Sequence, residues 1–297
     1  MPEPSAPRPR LAADGMLVLV ALFWGTSFAV MKDALTQTGP ANLLFLRFSL
    51  AFLLLLPAAW PRRQSFSPRL ILPGLIAGLF MFGGFITQVW GLTYTTASRS
   101  GFITGLNVVL VPLLAIVLLR RLPTRTALIG AGLAFGGLYF LTVVDQTQGT
   151  SLNLGDLLTL ICALFWAGYI ISLAHFSPGR DSYWLTLIQM ATVIVGALIS
   201  AVVSGQLSLD LSPGLFGASL YLAGFCTVVA FWGQTWAQGY TSPTRTAIIL
   251  TLEPVFAALF AWWWLGEGMG RWGLLGSGLI LAGILLAQIR AKAWKEG

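Results

Sequence analysis

Ten apolar stretches, each long enough to cross a lipid bilayer as a helix, dominate this sequence of 297 residues. They cover residues 15–35, 41–60, 70–91, 96–119, 125–143, 155–175, 182–204, 213–236, 241–265 and 270–290. The stretches lack the alternation of polar and apolar residues that marks barrel strands. Because only a helix satisfies its backbone hydrogen bonds within one lipid-embedded segment, the sequence predicts an all-α polytopic membrane protein with ten transmembrane helices.

The segments between these stretches are short, and only 9% of the residues are charged, whereas soluble domains carry roughly 25%. No room is left for a soluble catalytic or nucleic-acid-binding domain, so function must lie among the helices. We expect residues 1–13 to form a disordered tail because they combine Pro, Arg and small residues without an apolar face. Residues 291–297 are predicted to form a second tail.

The basic residues are distributed unequally between the two sides of the membrane. If the N-terminus is cytoplasmic, twelve of the 17 Lys and Arg residues lie on the inner side, and the outer loops hold only Lys32 and Arg271. This asymmetry follows the positive-inside rule. The net charge of +7 therefore indicates orientation rather than a nucleic-acid partner. It predicts a bacterial-type inner membrane protein with both termini in the cytoplasm.

The second half of the chain resembles the first. A shift of 146 residues lays Trp90–Gly137 over Trp236–Gly283, and a shift of 142 pairs Asp14 with Asp156 and Trp24 with Trp166. Each half, residues 14–145 and 156–290, then contains five predicted helices. Because five is odd, the copies must have opposite orientations in the membrane, which is an inverted repeat. Such a 5+5 repeat predicts a site between the halves that alternating access opens to either side.

Three segments carry a resemblance to a known family: "ALFWGTSFAVMKDAL", "YTTASRSGFITGLNVVLVPLLA" and "YTSPTRTAIILTLEPVFAALFAWWWLGE". They resemble the drug/metabolite transporter superfamily, specifically its ten-helix members built from two EamA-type domains, over residues 12–290. The resemblance implies a secondary transporter. The family includes exporters of amino acids, of other metabolites and of drugs, and within it the chain is most similar to the aromatic and broad-range amino-acid exporters.

An acid and a proline stand side by side inside the ninth apolar stretch. Placing Glu253 at membrane depth costs several kcal/mol unless it faces protein or water. Pro254 has no N–H, so the carbonyl of Leu250 loses its helical partner and the helix is expected to bend or open there. Glu253 binds a substrate amino group or a coupling proton in one interpretation. In the other it accepts bonds from a neighbouring helix or from Arg47 and holds the bend.

Three arginines lie within or at the ends of predicted spans. We expect Arg47 to extend its side chain toward the outer interface, with an anionic substrate or Glu253 as alternative partners. Arg99 and Arg245 stand at helix entries on opposite sides of the membrane under the inverted model. They are predicted to be interface anchors or gating residues, and Pro254 to be the helix break.

Aromatic and neutral polar side chains complete the predicted site. Trp24 and Trp166 lie at mid-span, where they either line a cavity for aromatic cargo or pack between helices. Tyr169 shares a helix face with Trp166, and neutral amides could hold a zwitterion or join helices. The predicted substrate-binding set is Trp24, Gln88, Asn107, Trp166, Tyr169, Gln234 and Glu253. Pairs of small residues in "GLIAG", "GFITG" and "GLAFG" predict close helix packing.

The sequence lacks the motifs and residues that several other function classes require. There is no GxxxxGK[ST] nucleotide-binding motif, so transport energy must come from a gradient or from the cargo. An intramembrane enzyme is a poor alternative because His175, the only histidine, lies at a predicted helix end and no acidic pair lies at membrane depth. Cys162 and Cys226 are expected to pack as small apolar residues.

The sequence thus predicts an exporter of amino acids, with drugs or other small metabolites as the alternative cargo. The expected partners are the small-molecule substrate and the lipid bilayer, without nucleic acid, cofactor or metal. Monomer and dimer are both left open.

Overall fold

The computed structural model describes residues 7–107, 109–110, 114, 125–145, 152–176, 180–209, 212–238 and 249–288. Within these residues every regular element is a helix and no strand occurs, which confirms the predicted all-α class. The helices are α1 Pro7–Ala34, α2 Pro40–Ala59, α3 Ile71–Tyr94, α4 Ala97–Gly105, α5 Arg125–Tyr139, α6 Leu154–Phe176, α7 Ser182–Val203, α8 Pro213–Ala223, α9 Ala230–Gln238, α10 Leu252–Leu265 and α11 Arg271–Gln288.

The first helix begins earlier than the sequence suggested. α1 starts at Pro7, so the prediction of a disordered tail up to residue 13 is wrong for residues 7–13. Proline is favoured in the first turn because its missing N–H has no helical partner there. Ala13 is already fully buried and packs in one apolar cluster with Leu17 and Ala237. Residues 1–6 and the predicted tail 291–297 lie outside the described residues.

Six helices of the described chain are long and apolar enough to cross a membrane: Leu11–Ala34, Pro40–Ser65, Pro68–Tyr94, Leu154–Leu173, Tyr183–Val203 and Pro213–Gln234. Three shorter apolar helices cover Leu128–Tyr139, Leu252–Leu265 and Arg271–Leu286. Each coincides with one of the predicted stretches, and the predicted spans 96–119 and 241–265 fall partly outside the described residues. The molecule is an integral multi-pass membrane protein.

The most extensive helix contacts in the described chain join its first half to its second half. α3 packs against α6 and α7, α2 against α7, α1 against α10, and α5 against α11. The core is therefore built between the halves rather than within either one, which leaves the space for a cavity at their interface.

Glycines allow the closest of these approaches. A Cβ atom built on Gly137 of α5 would lie 2.5 Å from the carbonyl oxygen of Gly276, and one on Gly283 of α11 would lie 2.4 Å from that of Gly130. Small residues at helix crossings permit such backbone contact. Gly132, in contrast, has no neighbour within 4 Å, so "GLAFG" does not mark close packing, and Gly130 and Gly137 take that role instead.

Two helices are interrupted at positions that correspond in the two halves. α4 ends at Gly105, and Leu106 forms a turn before helical residues resume at Asn107. In the second half, Thr251 forms a turn immediately before α10 begins at Leu252. The shift of 146 residues relates Leu106 to Leu252, so the two interruptions lie within one residue of each other in the repeat.

The far end of α10 stands at the periphery of the bundle. Trp262, Trp263 and Trp264 are 65%, 69% and 53% exposed, although successive residues of a helix point in directions about 100° apart. Most of the circumference of the helix is therefore free at this level. Gly266 then ends the helix with a φ of 66°, a conformation that glycine adopts without steric cost.

Candidate functional site

A cavity of about 240 Å³ lies between the two halves. All seven side chains of the predicted substrate-binding set line its wall, together with Pro254. The other lining residues are Ser27, Phe28, Arg47, Phe85, Thr104, Gly105, Ile170, Phe231, Leu250, Thr251 and Ile284. The structure thus brings residues from eight predicted spans, four in each half, to one site.

The lining is paired between the halves. At shifts of 142 and 146 residues, sixteen of the nineteen lining residues form eight pairs: Trp24/Trp166, Ser27/Tyr169, Phe28/Ile170, Phe85/Phe231, Gln88/Gln234, Thr104/Leu250, Gly105/Thr251 and Asn107/Glu253. Three of the pairs are identical residues. The cavity therefore draws nearly the same positions from each half of the chain.

Aromatic rings follow one another around the wall. Phe85 meets Trp166 edge to face with 5.0 Å between ring centroids, and the pair related to it by the repeat, Phe231 and Trp24, is tilted with 5.5 Å between centroids. Tyr169 connects the two pairs, at 5.4 Å from Trp166 and 6.4 Å from Phe231. Edge-to-face contacts fix each ring against its neighbours, so the mid-span tryptophans both pack between helices and face the cavity.

Arg47 is buried in the cavity wall with only 1% of its surface exposed, so the prediction that it extends to the membrane interface is wrong. Its Nε donates to Thr227 Oγ1 at 2.9 Å, and its other nitrogens approach the sulfur of Met31 at 3.3 Å and the carbonyl oxygen of Cys226 at 3.4 Å. The guanidinium carbon lies 4.6 Å from the ring centre of Phe85. These contacts hold the side chain inside the bundle.

A π-helical segment, Gly224–Val229, between α8 and α9 supplies two of these partners. The carbonyl of Cys226 in this segment accepts a bond from Trp24 Nε1 at 3.1 Å as well as the weaker contact from Arg47. Single π-helical turns often occur at functional sites. Here the segment orients one aromatic and one cationic side chain of the cavity.

Glu253 lies in the first turn of α10, beside the interruption at Thr251. Its carboxyl group has no hydrogen-bond or ion-pair partner among the described residues, and Arg47 does not pair with it. Pro254 occupies the first turn of α10, where a missing N–H leaves no helical bond unmade. The carboxyl group therefore faces the cavity without a protein partner in the described chain.

The interrupted helices cross at close range beside this acid. A Cβ on Gly101 of α4 would lie 2.5 Å from the Cβ of Ala257, and one on Gly105 would lie 3.2 Å from Pro254 Cγ. α1 approaches from the other side, because a Cβ on Gly25 would lie 3.0 Å from the carbonyl oxygen of Glu253. Glycines thus place three helix backbones around the start of α10.

The neutral polar residues of the wall have different surroundings. Gln88 Nε2 donates to Thr104 Oγ1 at 3.4 Å, and Tyr169 donates its hydroxyl proton to Gln189 Oε1 at 2.8 Å. Both bonds join neighbouring helices. Gln88 thus contacts another lining residue, while Tyr169 is tied to the buried Gln189 of α7.

Arg99 does not reach the cavity. It is buried and forms an ion pair with Asp156, with Nη2 and Oδ2 2.8 Å apart, so it is not an interface anchor. Thr95 donates to the other oxygen of Asp156 at 2.6 Å, and Lys32 Nζ donates to the Thr95 carbonyl at 2.7 Å. The corresponding Arg245 lies outside the described residues.

A second acid forms bonds at the same end of the bundle. This Asp156 end is where α1, α3 and α10 end and α4 and α6 begin. Glu267 accepts bonds from the backbone N–H groups of Ala97 and Ser98, at 3.0 and 3.1 Å, and from the Ser98 hydroxyl at 3.1 Å. An acid at a helix N-terminus satisfies otherwise unpaired N–H groups. Polar bonds thus connect both halves across this end.

The predicted substrate-binding set did not include the wall residues Phe85, Phe231 and Arg47, although an anionic substrate was one alternative partner of Arg47. A phenylalanine in an apolar span does not by itself indicate a binding site, because the same side chain can also face the lipid. The repeat could have found this pair, since Phe85 and Phe231 flank the glutamines Gln88 and Gln234 at the same spacing in both halves. Among the described residues no group of acidic, His and Cys side chains could hold a metal ion.

A helical bundle in the membrane, with a polar and aromatic cavity between its halves, defines the class of small-molecule membrane transporters. The EamA-like transporter family model matches this chain twice, over residues 11–143 and 153–288. The chain belongs to the EamA-like transporter family, which lies in the drug/metabolite transporter superfamily.

Relatives from other organisms extend over nearly the whole chain. An uncharacterized transporter of Archaeoglobus fulgidus is 34% identical over 283 residues, which are 95% of this chain and 87% of that protein. The uncharacterized inner membrane transporter YhbE of Escherichia coli is 24% identical and covers 95% of this chain and 94% of its own. A solved crystal structure with 18% identity has the same fold, with a TM-score of 0.65 over 96% of this chain and 99% of that one.

Proposed function

We propose that the protein exports small zwitterionic metabolites, foremost amino acids with aromatic members included, by alternating access. The observation that carries this proposal is the wall of the cavity, which combines a run of aromatic rings with one cationic and one acidic side chain among its described residues. An amino acid offers the matching groups: a side chain for the rings, an ammonium and a carboxylate.

The cavity is of a size that suits a small metabolite. It has about 240 Å³, close to the lower end of the roughly 300–1,000 Å³ of small-molecule sites. Aromatic faces also attract cations, which suits the ammonium of an amino acid. Glu253, which has no partner of its own among the described residues, is the group proposed to receive that ammonium.

An inverted repeat of five helices each is the proposed architecture for this transport. The paired lining of the cavity supports it, as do the reciprocal glycine contacts, since Gly137 with Gly276 is repeated as Gly283 with Gly130 at the shift of 146 residues. A two-fold relation between halves makes every contact reciprocal. The central cavity is where inverted-repeat transporters bind cargo.

The proposed orientation places both termini in the cytoplasm of an inner membrane, from the charge asymmetry of the loops. The Asp156 end then faces outward, and the Arg99–Asp156 ion pair is proposed to close the cavity on that side. YhbE, which is 24% identical, is described as an inner membrane protein, in keeping with this placement.

Transport by the purified protein in proteoliposomes tests the proposal. Vesicles preloaded with unlabelled phenylalanine should accumulate labelled phenylalanine by counterflow, with competition by other amino acids such as threonine, glutamate or lysine according to the substrate range. Protein-free vesicles and the Phe85→Ala/Phe231→Ala double variant serve as controls. Failure of every amino acid to move or to compete would refute amino-acid export, and uptake of cationic drugs instead would establish the alternative.

A further inference from the structure

We propose that Arg47 is the subsite that recognises the carboxylate of the cargo. The proposal rests on the proposed function for the identity of the cargo, but the binding of a carboxylate at Arg47 can be measured independently of transport. It assigns a role to the one cation among the described wall residues and makes the carboxylate a requirement for tight binding.

The bonding of Arg47 leaves room for an anion. A guanidinium carries five N–H donors, and the three acceptors around it, Thr227 Oγ1, Met31 Sδ and the Cys226 carbonyl, are all neutral. No carboxylate of the described residues forms an ion pair with it. A charge buried without a counter-charge is costly, and since Arg47 lines the cavity, an anion entering from the cavity can supply that counter-charge.

The guanidinium is also held in a fixed plane. Its central carbon lies 4.6 Å from the ring centre of Phe85 and 5.6 Å from that of Phe48. The bond from Nε to Thr227 fixes one edge. A rigid planar fork binds a carboxylate through two parallel bonds, and little conformational entropy is lost when it does so. This geometry selects a carboxylate over an anion of another shape.

The other half of the chain shows that the fold does not need a cation here. At the shift of 142 residues Arg47 corresponds to Gln189, which is buried and accepts a bond from Tyr169. A neutral amide thus satisfies the corresponding position. The acid of the cavity also has a neutral amide at the corresponding position of the other half, because Glu253 corresponds to Asn107. Each half contributes one charge where its counterpart has a neutral amide, so the two charges serve the cargo rather than the packing.

Four ligands with the same ring separate the two charged groups. Phenylalanine carries both charges, its methyl ester and 2-phenylethylamine lack the carboxylate, and 3-phenylpropionate lacks the ammonium. Titration calorimetry of the full chain in nanodiscs gives the affinity for each. We expect Arg47→Gln to lower the affinities for 3-phenylpropionate and phenylalanine at least tenfold. The affinity for 2-phenylethylamine should stay within twofold of the wild-type value. The wild-type preference for phenylalanine over its methyl ester should disappear.

Further variants keep the test informative about Arg47 itself. Arg47→Lys retains the charge without the planar fork and should recover part of the affinity for 3-phenylpropionate. Thr227→Val removes the acceptor of the Arg47 Nε and should weaken the binding of 3-phenylpropionate. This variant tests the subsite even if Arg47→Gln does not fold. Arg62 is an exposed arginine outside the cavity, so the control variant Arg62→Gln should leave all four affinities unchanged.

The outcomes separate the subsite from the proposed function. An unchanged preference for phenylalanine over its ester in Arg47→Lys and Thr227→Val overturns the subsite, and so does an equal loss of 3-phenylpropionate and 2-phenylethylamine in Arg47→Gln. If 3-phenylpropionate binds through Arg47 but no amino acid is transported, amino-acid export fails while the carboxylate subsite stands.

Discussion

The two charged side chains of the cavity are held in opposite ways. Arg47 is fixed by a hydroxyl, a carbonyl and a ring, whereas the carboxyl group of Glu253 has no partner among the described residues. An isolated carboxylate at membrane depth costs several kcal/mol. In the cavity, water, a proton or the ammonium of the cargo can compensate Glu253, so we expect this acid to change its partner with occupancy.

Replacing Glu253 with Gln should weaken ligands that carry an ammonium. We expect the Kd of phenylalanine to rise about tenfold, which corresponds to a lost interaction of roughly 1.4 kcal/mol, and that of 2-phenylethylamine to rise further because it has no carboxylate to retain it. The affinity for 3-phenylpropionate should stay unchanged. Calorimetry in nanodiscs measures all three, with Asp33→Asn, which lies outside the cavity, as the charge-matched control.

Unaltered binding of 2-phenylethylamine by Glu253→Gln would leave the acid with a role in the helix break alone. A complete loss of transport for cationic drugs, with amino acids never carried, would instead favour drug export.

At this scale the sequence predicts polar and aromatic side chains well and the burial of a cation poorly. Glu253 and the glutamines are conspicuous in an apolar span, and the repeat pairs the tryptophans. Arg47 was misjudged because it lies only seven residues after the start of α2, close enough to reach an interface. Its burial depends on the π-helical turn at Cys226 and Thr227, which comes from a helix 180 residues away and leaves no pattern near Arg47.

Among the helices, the crossing of α5 and α11 shows how backbone contact depends on a few glycines. Gly137 and Gly283 each face a carbonyl oxygen of the opposite helix, whereas Gly132 and its counterpart Gly278 face open space. A side chain inserted at the first pair must push the helices apart. The same helices thus contain glycines that are sensitive to size and glycines that are not.

We expect Gly137→Leu and Gly283→Leu each to destabilise the protein, because overpacking costs about 1–3 kcal/mol, which corresponds to several degrees in Tm. Gly132→Leu and Gly278→Leu are the matched controls and should keep the Tm of the wild type. Thermal unfolding in detergent, followed by the loss of the monodisperse chromatographic peak, provides the measurement. Equal losses at all four positions would contradict the crossing described here.

The helices themselves are predictable, but their interruptions are only partly so. Long apolar runs define the spans, and Pro254 marks a break because proline removes a backbone donor. The interruption at Leu106 has no proline within α4, so only its correspondence with α10 could have revealed it. The packing partner of each glycine was beyond prediction, since "GLAFG" and "GFITG" look alike in sequence but only the second lies at a crossing.

Considered as a whole, the molecule has its halves joined at the Asp156 end by polar bonds, which are proposed to close the cavity there. Arg99 of α4 pairs with Asp156 of α6, and Glu267 after α10 caps the start of α4. Removing one member of a buried ion pair costs roughly 3–5 kcal/mol because the other charge is left without compensation. Loss of this pair should therefore favour arrangements in which this end is open.

Arg99→Gln and Asp156→Asn should each expose the cavity to the outside of the cell. The reporter is Ser27→Cys, at a position that lines the cavity. It is introduced into a chain in which the two native cysteines, Cys162 and Cys226, have been replaced by serine. Its reaction with a membrane-impermeant maleimide on intact cells should become at least several-fold faster in either variant. The charge swap Arg99→Asp/Asp156→Arg should slow it again.

Cysteines at the exposed positions Thr36 and Arg63 calibrate the orientation in the same assay. Only the first should react from outside, and the reverse result would place the Asp156 end in the cytoplasm. A reporter at Ser27 that reacts equally fast in the wild type and in both variants would show that the ion pair does not close the cavity.

The three exposed tryptophans at the end of α10 also determine how deep the acid lies. Tryptophan settles at the boundary between headgroups and acyl chains, and Glu253 precedes Trp263 by ten residues, a rise of about 15 Å along the helix. That is half of a hydrocarbon core of roughly 30 Å. We therefore expect the lipid, by anchoring the tryptophan end of α10, to set the depth of the carboxyl group at its other end. A thicker or thinner membrane changes the distance that cargo must travel on the far side of the acid, while the near side stays constant.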